Sequence, residues 1–130
     1  MATKQAKPDF QPVFDTLRDT LAAQTKKLVV KTDKPNQYTL VTHSPSPFKQ
    51  HKGHPMWFGE VKIGKAYVSL HLIALYMNPE LNATVSSELN KRKQGKACFN
   101  FKTMPDRKLL ADLSKLTKAS VKFFADRKWL

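Results

Sequence analysis

The sequence predicts an α+β fold in which two helices cover one face of an antiparallel sheet. Apolar residues recur with a helical period near both ends of the chain and with a period of two between them. With 130 residues, of which 41% are hydrophobic, the chain has the size of one domain with one core. Both helices can bury their apolar faces only by covering the same sheet face, as in a two-layer sandwich. We therefore expect residues 9–130 to form a single domain with a five-stranded, mainly antiparallel sheet.

Helices are predicted at the two ends of this domain. The first runs from about Asp9, which can cap it, to Lys26. The last runs from Pro105 to about Lys128, with Asp106 near its N-terminus. Each has one apolar face, formed in the first helix by Phe10, Val13, Phe14, Leu17 and Leu21, and in the last by Leu109, Leu113, Leu116, Phe123 and Phe124.

Five strands are predicted between the helices. The first two flank a turn-forming sequence, Asp-Lys-Pro-Asn, and the third and fourth are joined at Gly64-Lys65, so each pair reads as a hairpin. A loop separates the hairpins, because its three prolines remove donors that a sheet needs. A short helix near residues 86–93 precedes the fifth strand. The predicted strands are 28–32, 37–43, 56–63, 66–75 and 96–102.

The sheet face turned away from the helices is the predicted binding surface. Side chains alternate across a strand, which allows the strand residues to be sorted between the two faces. The outward set mixes aromatic, thiol and amide groups with charges. A merely solvated face, which every two-layer fold needs, is the alternative interpretation. The candidate ligand-binding residues are Phe58, Lys62, Tyr67, His71, Lys96, Cys98, Asn100 and Lys102.

The chain is strongly basic, with 23 Lys+Arg against 10 Asp+Glu and a formal net charge of +13. The excess is spread over the domain and is densest from Lys91 to Lys108. This distribution favours an anionic small molecule or a polyanion as partner, although solubility alone is an alternative role for the lysines. Because 19 of the 23 cations are lysine, we expect no sequence-specific DNA recognition. Weak non-specific nucleic-acid binding is left open.

The sequence contains no recognisable catalytic motif, neither a nucleophile elbow nor a glycine-rich phosphate loop. Cys98 could act as a nucleophile if His71 faced it across the sheet, because a nearby imidazole lowers the pKa of a thiol. A lone cysteine in a strand more often serves packing. We therefore expect a non-enzymatic binding domain that carries no cofactor.

Two pairs of side chains have spacings that metal sites use. His51 and His54 lie three residues apart in the proline-rich loop, and Asp15 and Asp19 lie four apart on the first helix. Loop histidines beside lysines are usually solvated, and the two aspartates are expected to form surface ion pairs with Arg18 or with lysines. No metal site is therefore predicted, and these four residues are the candidates should a metal bind.

The location predicted from the sequence is the cytoplasm. The chain has a single cysteine, no secretory signal and no apolar run long enough to cross a membrane. Residues 1–8 are polar and basic, and we expect them to be disordered.

Residues 56–76 (MWFGEVKIGKAYVSLHLIALY), followed by GKACFNFK at 95–102 and a closing amphipathic helix, resemble the YdhG-like family, a bacterial domain family of unknown function. The resemblance implies a frataxin-like sandwich with both terminal helices on one sheet face. Some members are described as iron chaperones, so it also implies iron delivery as an alternative function. Iron needs clustered oxygen ligands, and the first helix offers only Asp9, Asp15 and Asp19 in a chain of charge +13. The sequence therefore favours the family's fold over its metal site.

Overall fold

The computed structural model describes residues 9–130, and the prediction for residues 1–8 lies outside this range. The chain forms an antiparallel sheet of six strands in the order β1-β2-β3-β4-β6-β5. Side chains from α1 and α5 pack into one core with the sheet. The predicted α+β class with an antiparallel sheet is confirmed. The strands are β1 (Val29–Lys34), β2 (Gln37–Pro45), β3 (Pro55–Ile63), β4 (Val68–Leu72), β5 (Lys93–Gln94) and β6 (Cys98–Phe101). The helices are α1 (Gln11–Ala23), α2 (Ala74–Met77), α3 (Pro79–Asn82), α4 (Ser87–Asn90) and α5 (Arg107–Asp126), with a 3₁₀ turn at Lys49–His51.

Helix α5 begins at the predicted Asp106, whereas the N-cap of α1 is Phe10, one residue after the predicted Asp9, and makes no side-chain cap. The N–H of Gln11 donates to Asp9 Oδ1 at 3.0 Å, and the N–H of Leu109 donates to Asp106 Oδ1 at 2.9 Å. Their predicted apolar faces are buried, and Phe14, Leu17 and Phe124 lie among the largest fully buried side chains. Both helices end earlier than predicted, because α1 stops at Ala23 and α5 at Asp126.

The sixth strand replaces part of a predicted helix. Helix α4 ends at Asn90, and Lys93 and Gln94 then pair with Phe99 and Cys98 of β6. A strand of two residues is too short to show a period of two, so the sequence pattern could not reveal it. The prediction of five strands was wrong by this one edge strand.

Strand β3 contains an irregularity that changes which side chains face the core. Leu40 pairs with Gly59 while the next residue, Val41, pairs with Trp57, so β3 has one residue more than β2 at Phe58. The extra residue interrupts the alternation of side chains between the two faces. Met56, Phe58 and Val61 are consequently all buried in the core.

The predicted position of Phe58 on the open face was therefore wrong. Its side chain is fully buried, and its ring centroid lies 5.1 Å from that of Phe124 on α5. Trp57 takes the place on the open face that unbroken alternation assigns to Phe58. Gly59 permits the irregularity, because a Cβ there would lie 2.6 Å from the backbone oxygen of His71.

The two edges of the sheet are short or irregular. Edge strand β1 pairs with β2 through Val30↔Leu40 and Thr32↔Thr39, which leaves Lys31 as an extra residue. The opposite edge is the two-residue strand β5. Among residues 9–130, no helix combines the length and the apolar character that crossing a membrane requires.

Candidate functional site

The open face carries a row of polar side chains that runs across neighbouring strands. Glu60 of β3 pairs with His71 of β4, and His71 in turn pairs with Cys98 of β6. Cys98 also pairs with Gln94 of β5, on its other side. The alternate residues Leu70, Leu72 and Phe99 are fully buried on the helix side. His71 and Cys98 therefore lie on the predicted face, and the sheet brings them side by side.

Glu60 is engaged by its neighbours on β2. Its Oε2 accepts hydrogen bonds from Gln37 Nε2 at 2.8 Å and from Thr39 Oγ1 at 2.7 Å. Two neutral donors thus hold this carboxylate at the edge of the row.

His71 is half-buried against an aromatic side chain. Its ring lies 5.0 Å from that of Trp57 in an edge-to-face arrangement at 86°. Burial lowers the pKa of His71 below its ordinary value of 6.5, and the nearby Glu60 carboxylate opposes this effect only in part. The imidazole is therefore neutral at pH 7 and contributes no positive charge to the open face.

Cys98 lies beside this neutral imidazole as a thiol. Burial raises the pKa of the Cys98 thiol, and its Sγ lies 3.6 Å from Asn100 Oδ1 as a weak donor. Nucleophilic catalysis by Cys98 with His71 requires a lowered thiol pKa. The geometry brings the two side chains together, but the environment shifts both pKa values away from the ion pair that such catalysis uses.

Lysine and arginine side chains converge at the edge of the open face nearest β5. They line a groove of about 600 Å³ between the segment after α4 and strand β6. Three of the predicted residues, Tyr67, Asn100 and Lys102, belong to it. We call this site the basic groove; its lining residues are Tyr67, Glu88, Lys91, Arg92, Lys93, Gln94, Asn100, Lys102 and Thr103.

Hydrogen bonds fix the backbone of the basic groove while leaving its lysines exposed. The N–H of Asn100 donates to the Arg92 carbonyl at 2.9 Å, and Asn100 Nδ2 donates to Gln94 Oε1 at 2.6 Å. Arg92 Nη1 donates to the Glu88 carbonyl at 3.0 Å. Lys102 lies on the surface, exposed to solvent. Hydrogen bonds thus hold Arg92 and Lys93 in place, while the side chains of Lys91 and Lys102 are exposed at the rim.

The single acid of the basic groove is already paired. Glu88 Oε1 lies 3.1 Å from Lys91 Nζ, and the Lys91 side chain remains 69% exposed. Within residues 9–130, Arg92, Lys93 and Lys102 make no salt bridge, although Lys93 Nζ donates to Asn82 Oδ1. The groove therefore has a net positive charge that its own residues leave uncompensated.

The other predicted lysines lie outside this groove. Lys62 is exposed, in the same cross-strand row as Ser69 and Asn100. Lys96 follows the turn at Gly95, and its Nζ lies 5.6 Å from the centre of the Tyr76 ring. It lines a smaller cavity of about 350 Å³ together with His71 and Cys98. Six of the eight predicted ligand-binding residues thus divide between two sites, while Phe58 lies in the core and Lys62 lines neither site.

The candidate metal ligands are each engaged or isolated. Arg18 pairs with Asp15 at 3.4 Å and with Asp19 at 3.0 Å, as the sequence predicted. His51 Nδ1 lies 2.5 Å from Ser46 Oγ, and His54 is exposed. In the part of the chain that the structure describes, no three His, Cys, Asp or Glu side chains come together in a metal-binding arrangement.

Trp57 is the residue of the open face that the sequence analysis missed. The available signal was Gly59, because a glycine inside a strand pattern often marks an irregularity in the ladder. Arg92 and Lys93 were recognised only as part of a basic segment, since their positions depend on strand β5.

No protein-family model, curated protein or solved structure matches this chain, and the resemblance to the YdhG-like family stays a prediction.

Proposed function

We propose that this protein is a binding domain that holds an anionic ligand or polyanion in the basic groove and performs no catalysis. The observation that carries the proposal is the convergence of Lys91, Arg92, Lys93 and Lys102 around one acid that is already paired. A phosphate or carboxylate entering the groove would meet several cations at once. The attraction between such groups supplies most of the affinity for polyanions.

The neutral side chains of the groove suit the same class of ligand. Asn100 and Gln94 hold each other through their amides, which leaves further amide donors and acceptors for a polar ligand. Tyr67 adds a half-buried aromatic ring at the wall. A ring and several cations together are typical of surfaces that bind phosphate-bearing molecules with little sequence preference.

The absence of catalysis in this proposal is supported by the state of the polar row. His71 is neutral and Cys98 is a thiol, because burial disfavours the charged form of each. These shifts disfavour the thiolate–imidazolium pair that nucleophilic catalysis by a Cys–His pair uses.

Two double variants with equal net charge test the proposal. Lys91→Gln/Lys102→Gln removes two cations from the basic groove, and Lys108→Gln/Lys118→Gln removes two exposed cations from α5. Retention on immobilised heparin should fall strongly for the first variant and weakly for the second, because only the first removes cations that line the basic groove. Circular dichroism confirms that both variants are folded. Equal elution salt for the two variants would mean that net charge alone retains the protein, and the proposed site would be wrong.

A second measurement distinguishes a small anion from a polymer. Tripolyphosphate and a single-stranded oligonucleotide are each titrated while the melting temperature is followed, since a ligand that binds only the native state raises it. A shift with tripolyphosphate that is lost in Lys91→Gln/Lys102→Gln indicates a small anion. A shift with the oligonucleotide alone indicates a polyanion partner.

A further inference from the structure

A second groove, which shares no lining residue with the basic groove, has largely apolar walls. It has a volume of about 630 Å³, within the range that small-molecule sites occupy. It forms between the loop that precedes β3, the first residues of β3 and the segment that follows β4. Its apolar walls are Phe48, Met56, Trp57, Ile73 and Met77.

Aromatic contacts hold one side of this apolar groove in place. The Phe48 ring lies 5.7 Å from Trp129 near the chain's C-terminus and 5.6 Å from His51, in edge-to-face arrangements. Trp57 is held by His71 at 5.0 Å. On the opposite side, Ile73 and Met77 are only half-buried, so apolar surface remains open to a ligand. Methionine adds a wall that adapts to the shape of an alkyl chain.

The sequence around the polar rim of the apolar groove carries positive charges and no negative ones. Residues 34–59 contain no aspartate or glutamate, whereas Lys49 and Lys52 flank the histidine at position 51. Both lysines are exposed. The two lysines do not line the groove, but they flank His51, which does, and no acidic residue lines it. A ligand in this groove therefore meets an apolar wall along its body and, at one end, His51 with two cations close by in the chain.

Ser46 orients the imidazole at this rim. Ser46 Oγ accepts the N–H of Phe48 at 3.1 Å and lies 2.5 Å from His51 Nδ1. Because Ser46 Oγ already accepts the Phe48 N–H, we assign its hydroxyl as the donor to Nδ1, which is the tautomer that carries the ring proton on Nε2. His51, which lines the groove, thereby offers an N–H donor for an anionic oxygen.

We propose that the apolar groove binds an amphipathic monocarboxylate, a medium-chain fatty acid, at a site separate from the basic groove. The alkyl chain lies against Trp57, Ile73 and Met77, and the carboxylate lies at the rim beside His51 and the flanking lysines. An apolar molecule without a negative group gains only the burial of its alkyl chain against the wall. A small hydrophilic anion gains only the polar interactions at the rim.

Decanoate and decanol, which differ in the carboxylate, are the probes for the test. Binding to the full chain is measured by isothermal titration calorimetry and by tryptophan fluorescence, to which Trp57 contributes. We expect decanoate to bind about tenfold more tightly than decanol, the difference that one charge-assisted hydrogen bond supplies. Equal affinities, or no binding of decanoate, would overturn the proposal.

Variants locate the site and keep it distinct from the basic groove. Met77→Glu places a negative charge on the wall and should weaken decanoate binding about tenfold or more. His51→Gln, which keeps a donor but changes its position, should weaken it less. Ile73→Glu serves as a second wall variant if Met77→Glu is unfolded by circular dichroism.

The reciprocal control uses Lys91→Gln/Lys102→Gln, which should bind decanoate as the unmodified protein does. Loss of decanoate binding in that variant, or normal binding in both wall variants, would contradict a separate apolar site. Met77→Glu should also leave heparin retention unchanged, so that failure of one proposal is distinguishable from failure of the other.

Discussion

Replacing Gly59 with alanine should destabilise the protein by disturbing the contact between β3 and β4. A Cβ at this position would lie 2.6 Å from the backbone oxygen of His71 and 3.3 Å from Leu72 Cδ2. The first contact is with backbone, so the two strands must separate locally rather than a side chain rotating away. Gly59 does not have a positive φ, and the cost is therefore steric rather than torsional.

The size of this effect follows from two opposing contributions. Overpacking of an interior site costs roughly 1–3 kcal/mol. Alanine also stabilises by restricting the unfolded chain, by about 0.4–1 kcal/mol. We expect Gly59→Ala to lower the free energy of unfolding by about 2 kcal/mol, measured by urea denaturation.

Gly64→Ala is the matched control, because its Cβ would meet Tyr67 O at the more tolerable distance of 3.2 Å. Gly64→Ala should cost clearly less than Gly59→Ala. The tryptophan emission of Gly59→Ala should also change, since Trp57 lies beside the displaced segment. A Gly59→Ala protein within about 0.5 kcal/mol of the unmodified chain would refute the steric argument.

Three further predictions concern other parts of the molecule. Phe58→Ala should lower the free energy of unfolding by about 3–5 kcal/mol in denaturant titration, because the side chain is fully buried against Phe124, whereas Trp57→Ala should cost less. His71 has a lowered pKa in the folded protein, so the unfolded chain takes up more protons, and stability should fall as the pH drops below about 6.5. His71→Gln should flatten this dependence in urea titrations between pH 7 and pH 5. Asp112→Leu should raise the free energy of unfolding by about 1 kcal/mol, because Asp112 Oδ2 is buried without a hydrogen-bond partner among residues 9–130.

Each of these predictions has its own contrary result. A larger loss for Trp57→Ala than for Phe58→Ala would mean that β3 keeps unbroken alternation. His43 is exposed, and an equal flattening by His43→Gln would show that burial of His71 is not the cause. A lower free energy of unfolding in Asp112→Leu would show that the carboxylate is stabilising. Asp112→Asn, which removes the charge while keeping the shape, separates the effect of the charge from the effect of the changed shape.

The helices and the two hairpins could be predicted because their signals are local. Asp9 and Asp106 accept hydrogen bonds from the first turn of a helix, and the apolar spacing of each helix continues over several turns. The turn at Gly64 and the proline-rich loop before β3 are likewise marked by their own residues. Such features need no information about distant parts of the chain.

The faces of the sheet were less predictable, because they depend on pairing between strands. The side chain of Phe58 points to the core only because Gly59 pairs with Leu40 and Trp57 with Val41. Similarly, the turn at Gly95, which has a φ of 70°, separates Lys93 in the basic groove from Lys96 near Tyr76. The apolar periodicity of a single segment predicts neither the strand register nor the separation of these two lysines.

The irregular and shortened strands at the two ends of the sheet bear on how copies of this protein meet. An exposed strand edge can extend a neighbour's sheet, and long flat edges invite aggregation. Here the extra residue at Lys31 twists one edge and adds a charge to it, while the other edge offers only Lys93 and Gln94. Joining two copies through their edges would also bring together two chains of charge +13. Both edges of the sheet are therefore poor templates for a further strand, so we expect contacts with other molecules at the grooves rather than at the strand edges.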